Sequence, residues 1–220
     1  GLVRSAAWHA LLVGLAAHMV LVYGLALKVF TRTSVAGFFR GFRPAQLMGF
    51  CSLSSNATLP VSMECVEKSL GVPLHICSFT LPLGATINMD GTALLQGVAT
   101  VFLAQVYGLD LSLLQYVTIV LTATLASIGT AGIPGAGMVM LAVVLKSVGI
   151  PLEGIGIILG VDRFLDMCRT VVNITGDAVC AVVVASTEGR FLVETLRGSQ
   201  GEPTQKTAPN DLHARSSKPS

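Results

Sequence analysis

Five side chains set the chemistry of this sequence: Asp162, Asp166, Arg169, Asn173 and Asp177. They are separated by 4, 3, 4 and 4 residues. At 3.6 residues per turn, helical positions so spaced share one face, within an arc of about 80°. The residues between them are mostly Leu, Val, Ile, Met and Phe. An ion at the centre of a bilayer costs about 2.5–3.5 kcal/mol on insertion scales. A membrane helix with this stripe must turn it towards something polar: a charged substrate, a coupling ion, or both.

Composition supports the membrane setting. Apolar residues make up 52% of the 220 residues and charged residues 12%, against about a quarter charged in soluble domains. The 14 basic and 12 acidic residues nearly cancel, which leaves no electrostatic footprint for nucleic acid. Cys51, Cys65, Cys77, Cys168 and Cys180 form no CxxC pair and stand in apolar or interfacial stretches. They read as small packing residues, not as a disulfide or metal framework. Gly1–Phe30 is too long for a signal peptide and lacks a small-residue cleavage pattern.

The elements that must position the stripe follow from punctuation in the apolar sequence. Residues 1–33 read as a transmembrane helix, interrupted by His9 and His18. No second ligand stands at helical spacing from His18, so it reads as a packing or cavity-facing residue. Lys28, Arg32, Arg40 and Arg43 follow, which places that end on the cytoplasmic side. Residues 34–73 form two arms too short to span, around a polar tip, Ser52–Thr58. Pro60 suits the first turn of the second arm. This is a re-entrant helical hairpin. Residues 74–107 form a transmembrane helix broken near Ala85–Thr92, where Gly84, Asn88, Asp90 and Gly91 cluster. Backbone leaves the helix at membrane depth only where it is buried in protein or lines a polar cavity.

The loop at 108–110 lacks Lys and Arg, consistent with the outer side. Residues 111–150 repeat the hairpin pattern from that side. Their tip, Ser127–Gly137, contains Gly129, Gly132, Gly135, Gly137 and Pro134 and will not hold a regular helix. Residues 151–189 form the polar-striped transmembrane helix, and 190–220 read as a disordered cytoplasmic tail. The expected fold is an all-α membrane protein with two re-entrant hairpins in an inverted repeat. That is the architecture of secondary transporters, with the site at the midplane.

Four motifs in order carry a resemblance. They are Ser54-Ser55-Asn56-Ala57-Thr58-Leu59-Pro60, Asn88-Met89-Asp90-Gly91-Thr92, the tip Gly129–Gly137, and Asp162-x3-Asp166-x2-Arg169-Thr170-x2-Asn173-x3-Asp177. In these residues the chain resembles the glutamate transporter family, the dicarboxylate/amino acid:cation symporters. The resemblance covers residues 8 to about 190. It implies a homotrimeric, sodium-coupled elevator symporter of aspartate, glutamate or related dicarboxylates. Such a protein lies in the plasma or inner membrane, with its C-terminus cytoplasmic. Most of this chain would be the mobile transport domain. The scaffold and trimerisation helices normally come earlier, and the chain is expected to lack that N-terminal half.

The same resemblance assigns roles. Arg169 would grip the side-chain carboxylate of an acidic amino acid, a task suited to a guanidinium fork. Asp162 would orient Arg169, and Asp166 would accept the substrate ammonium. Thr170, Asn173 and Thr92 would hydrogen-bond the carboxylates, although a helical Thr such as Thr170 also bonds back to its own helix. Ser55 and Gly137 would offer backbone groups from the two tips, with Ile133 as apolar cover. Sodium would be held by Asp177 and Asp90, with backbone oxygens of Gly84, Asn88 and Asn173. A second site would use Ser127, Ile128 and Thr130 with Thr86. Sodium, as a hard cation, takes oxygen ligands.

Many family members place a basic residue at the first tip or just before Arg169. Here Leu53 and Met167 stand there, so plain sodium coupling is expected in place of potassium counter-transport. Two other readings compete. An intramembrane aspartyl protease needs GxGD. The nearest match is Ile174-Thr175-Gly176-Asp177, without the first Gly, and Arg169 on the same face does not suit two aspartates sharing a proton. The last reading is a non-transporting fragment or partner subunit.

Overall fold

A computed structural model describes the backbone of residues 2–189, and the side chains of 7–189 other than Val161 and Asp162. The anticipated tail, 190–220, and the Asp162 side chain lie outside the described residues. Every regular element among the described residues is helical. Helix α1 (Leu2–Ala17) runs through a π-helical turn, His18–Tyr23, into α2 (Gly24–Phe30). Ser34 caps α3 (Val35–Ser52) by accepting from Gly37 N at 3.0 Å. That helix ends at Leu53, whose φ of 55° is left-handed. Ser54 then caps α4 (Ser55–Glu64), accepting from Ala57 N at 3.1 Å.

Two helices replace the broken span. They are α5 (Leu74–Ile87) and α6 (Asp90–Val106), with Asn88 and Met89 between them in non-helical backbone. A reciprocal Ser112–Gln115 capping box starts α7 (Leu113–Ile128). After the glycine-rich tip comes α8 (Ala136–Ser147), and a short 3₁₀ turn leads into α9 (Ile155–Thr187).

Among the described residues three stretches are long and apolar enough to cross a membrane: Ala7–Phe30, Leu74–Val106 and Arg163–Thr187. By contrast α7 and α8, at 16 and 12 residues, reach only about 24 and 18 Å against a hydrocarbon core of about 30 Å.

Helix α9 is the hub: α1 to α6 all pack on it. Its fully buried Ala178, Ala181 and Ala185 let neighbours approach closely. Phe38 and Phe42 of α3, Leu81 of α5 and Leu95 of α6 complete this core with Val172 and Val182. The polarity is that of a membrane helix bundle. Arg169 is 4% exposed, whereas Leu113 of α7 is 81% exposed. The chain is an all-α integral membrane protein that buries Asp166, Arg169 and Asp177 in its interior.

Candidate solute and cation site

The break between α5 and α6 lies against the middle of α9, and this contact builds the site. Gly91 is the enabling residue. A Cβ there would come within 2.5 Å of the Arg169 carbonyl oxygen, so only Gly lets the two backbones approach. Gly91 N then donates to Asn173 Oδ1 at 2.8 Å. That bond fixes the amide, whose Nδ2 donates to Thr92 Oγ1 and to Met89 Sδ, both at 3.1 Å. Thr92 Oγ1 also accepts from Arg169 Nη1 at 2.7 Å. Arg169 Nε is ion-paired with Asp166 Oδ1, one turn earlier on α9.

This constellation is buried: Thr92, Asp166, Arg169 and Asn173 are each at most 4% exposed. Apart from its ion pair with Arg169, Asp166 Oδ1 has no hydrogen-bond partner among the described residues. A cation and an anion thus stand side by side, and the anion has bonding capacity left. Buried polar atoms normally find partners. A zwitterion with a further carboxylate would supply them: carboxylate oxygens for the guanidinium and an ammonium for Asp166.

The glycine-rich tip closes on the same place. Gly135, with φ of 78°, donates its N–H to Asp166 Oδ2 at 3.1 Å. A Cβ on Gly137 would lie 3.3 Å from Arg169 Cζ, so the start of α8 rests on the guanidinium. Gln96 Nε2, one turn after Thr92, holds the Gly137 carbonyl at 3.3 Å. The first tip meets the second: Ser54 Oγ and Asn56 N donate to the Gly132 carbonyl at 2.6 and 3.2 Å. Helix N-termini of α6 and α8 converge there, and their positive dipole ends favour carboxylates.

A second group lies one to two turns along α9. Asn88 Nδ2 donates to Asp177 Oδ1 at 2.9 Å, and Asp177 is 3% exposed. The last carbonyls of α5 end here without intrahelical partners beyond the Gly84 oxygen, which accepts from Asn88 N at 2.8 Å. A carboxylate beside free carbonyl oxygens is a hard-cation donor set. Gly84 leaves the room for it, since a Cβ would lie 2.5 Å from Asp177 Oδ1. Gly84→Ala is expected to displace that carboxylate and destabilise the fold by about 1–3 kcal/mol. Thermal unfolding checks it.

Thr170 turns its hydroxyl back to the Asp166 carbonyl at 2.8 Å. Thr86 is exposed and bonds Pro82 O at 3.3 Å. Ser127 and Thr130 bond carbonyls of their own helix end, at Thr124 and Ala126. Ile128 and Ile133 are 42% and 51% exposed. Ser55 is buried at the first tip.

Sequence reasoning gave no role to Gln96 or Tyr23, took His18 as a packing or cavity-facing residue, and named Met89 and Gly135 only within motifs. Gln96, in the middle of apolar α6, was a readable signal. His18 and Tyr23 were not readable, because their partner, Asp90, is 72 and 67 residues away.

The fold and site define a class: a helical membrane protein with buried, oppositely charged groups at a helix break. Residues 6–187 match the sequence profile of the sodium:dicarboxylate symporter family, and the chain belongs to that family. It is 46% identical over 171 residues to an excitatory amino acid transporter of Caenorhabditis elegans, covering 78% of this chain and 34% of that protein. It is 50% identical over 165 residues to excitatory amino acid transporter 3 of Mus musculus, covering 75% and 32%. With the proton/sodium-glutamate symport protein of Bacillus subtilis it shares 42% over 179 residues, covering 81% and 41%. The chain thus spans about a third to two-fifths of the curated relatives it matches. The family is one of transporters, not enzymes, and the aspartyl protease reading falls away.

Proposed function

We propose that the chain forms the solute- and ion-binding part of a sodium-coupled symporter for acidic amino acids. The buried arrangement of Asp166, Arg169, Thr92 and Asn173 carries this reading. Arg169 takes the substrate side-chain carboxylate. Asp166 takes the ammonium, which favours aspartate or glutamate over succinate. Thr92, Asn173 and the N–H groups of the tips complete the carboxylate contacts, with Thr170, Ser55, Gly137 and Ile133 around them.

Sodium is co-transported cargo. Asp177 with oxygens of Gly84, Asn88 and Asn173, and Asp90 close by, form its main site. Ser127, Ile128, Thr130 and Thr86 form a second after the tip closes. Opening the Gly135–Asp166 and Gly132–Ser54 contacts admits the solute. The two helix pairs are re-entrant, the C-terminus is cytoplasmic, and the complete protein works as a homotrimer by an elevator movement.

Calorimetric titration of L-aspartate into the purified protein, with and without sodium and with succinate as control, tests this. Tight aspartate binding in sodium alone is the expected result. Binding in neither condition would favour a non-transporting fragment or partner.

A further inference from the structure

The first helix carries a π-helical turn, His18–Tyr23, with no Pro in it. In a regular α-helix, residues five apart diverge by about 140°. A π turn bonds i to i+5 and brings them towards one side. His18 and Tyr23 are five apart, and both reach the same atom. His18 Nε2 lies 3.1 Å from Asp90 Oδ2, and Tyr23 Oη donates to it at 2.9 Å. Their rings meet edge to face at 4.9 Å.

Tyr23 is 4% exposed and reaches further than Asp90. Its hydroxyl lies 3.2 Å from the Val172 carbonyl oxygen of α9. Gly176, one turn on, is bare at this point: a Cβ there would lie 2.5 Å from Tyr23 Oη and 2.5 Å from Asn88 Nδ2. Asn88 in turn holds Asp177. The hydroxyl therefore stands where α1–α2, the α5–α6 break and α9 meet.

We propose that Tyr23 is a positioning residue of the cation site. Its hydroxyl fixes the Asp90 carboxylate and thereby sets sodium affinity. This rests on the symport reading above, with Asp90 a sodium ligand. The hydroxyl has one proton and two acceptors. When it donates to Asp90, it holds the carboxylate in one rotamer. When it donates to Val172 O, it turns a lone pair towards Asp90 and the cation that carboxylate carries. A partner that orients a metal-binding carboxylate raises affinity by removing its freedom beforehand.

The test uses the full chain, and two variants separate positioning from packing. Tyr23→Phe keeps the buried ring and removes the oxygen. Gly176→Ala keeps the tyrosine but crowds both its hydroxyl and the Asn88 amide, so it reports on the whole junction and Tyr23→Phe carries the assignment. Both are expected to raise the sodium concentration for half-maximal aspartate binding about tenfold, the order of one hydrogen bond to a charged group. Aspartate affinity at saturating sodium is expected to stay the same. A merely structural tyrosine would lower the melting temperature without moving the sodium dependence, and that result would overturn the proposal. An equal loss of aspartate affinity at saturating sodium would overturn it too, by placing Tyr23 on the solute. A wild-type chain without sodium-dependent binding would overturn the symport reading and this proposal with it.

Discussion

Arg169→Cys is expected to weaken aspartate binding at least a hundredfold in saturating sodium, while neutral amino acids of similar size gain affinity. The magnitude follows from burial. Truncating one member of a buried charge pair costs about 2–5 kcal/mol or more, and about 2.8 kcal/mol is a hundredfold. Arg169 is 4% exposed and already committed through Nε to Asp166 and through Nη1 to Thr92. It is therefore pre-positioned, and its cost of ordering is met before substrate arrives. The shorter thiol leaves a space beside Gly137 and Thr92, because these two flank the guanidinium. A neutral side chain can fill that space, whereas a carboxylate there would have lost its only cation. Asp166 remains to bind an ammonium, so the variant should keep amino acids as a class. Competition binding with aspartate, serine and alanine reads both effects. Aspartate affinity unchanged from wild type would remove Arg169 from the solute site.

Much of this site was legible because α9 is a single unbroken helix. Periodicity alone places Asp166, Arg169, Asn173 and Asp177 on one face, and they do lie together in the interior. The helix break was legible for a similar local reason: Gly84, Asn88 and Gly91 are poor residues for the interior of a helix. What stayed hidden was long-range pairing. The contact of Gly132 with Ser54 and Asn56 joins two tips 78 and 76 residues apart, and no local pattern encodes it. Tyr23 read as one more apolar-helix residue, because its role needs both a π turn and a partner on α6. Hydroxyl partners were not legible either. Thr86, Ser127, Thr130 and Thr170 can bond outward or back onto their own helices. All four bond back here, which is the competition expected of Ser and Thr within helices. Motif spacing says which residues share a face; it does not say which acceptor a hydroxyl prefers.

Asp177→Asn is expected to raise the sodium requirement while making the sodium-free protein more stable, two effects of opposite sign. Asp177 is 3% exposed, and Asn88 Nδ2 is its one hydrogen-bond donor among the described residues. A buried carboxylate with a single neutral partner retains much of its desolvation cost, several kcal/mol for an ion in a protein interior. A bound cation offsets that cost, with an attraction of about 4 kcal/mol for unit charges 4 Å apart at an effective dielectric of 20. Asn has the same shape, so it fits against Gly84 and keeps the bond from Asn88 through its own oxygen. Only the charge is lost. The wild type should therefore melt higher as sodium rises, with a slope that reports ion binding to the folded state. The variant should start higher and respond little. Half-maximal sodium for aspartate binding should rise at least tenfold, a cautious fraction of that attraction. Melting curves over a sodium series, with potassium holding ionic strength constant, read both signs in one experiment. A variant that is less stable without sodium would mean that Asp177 serves the fold through Asn88, and an unaltered sodium response would take it out of the ion site.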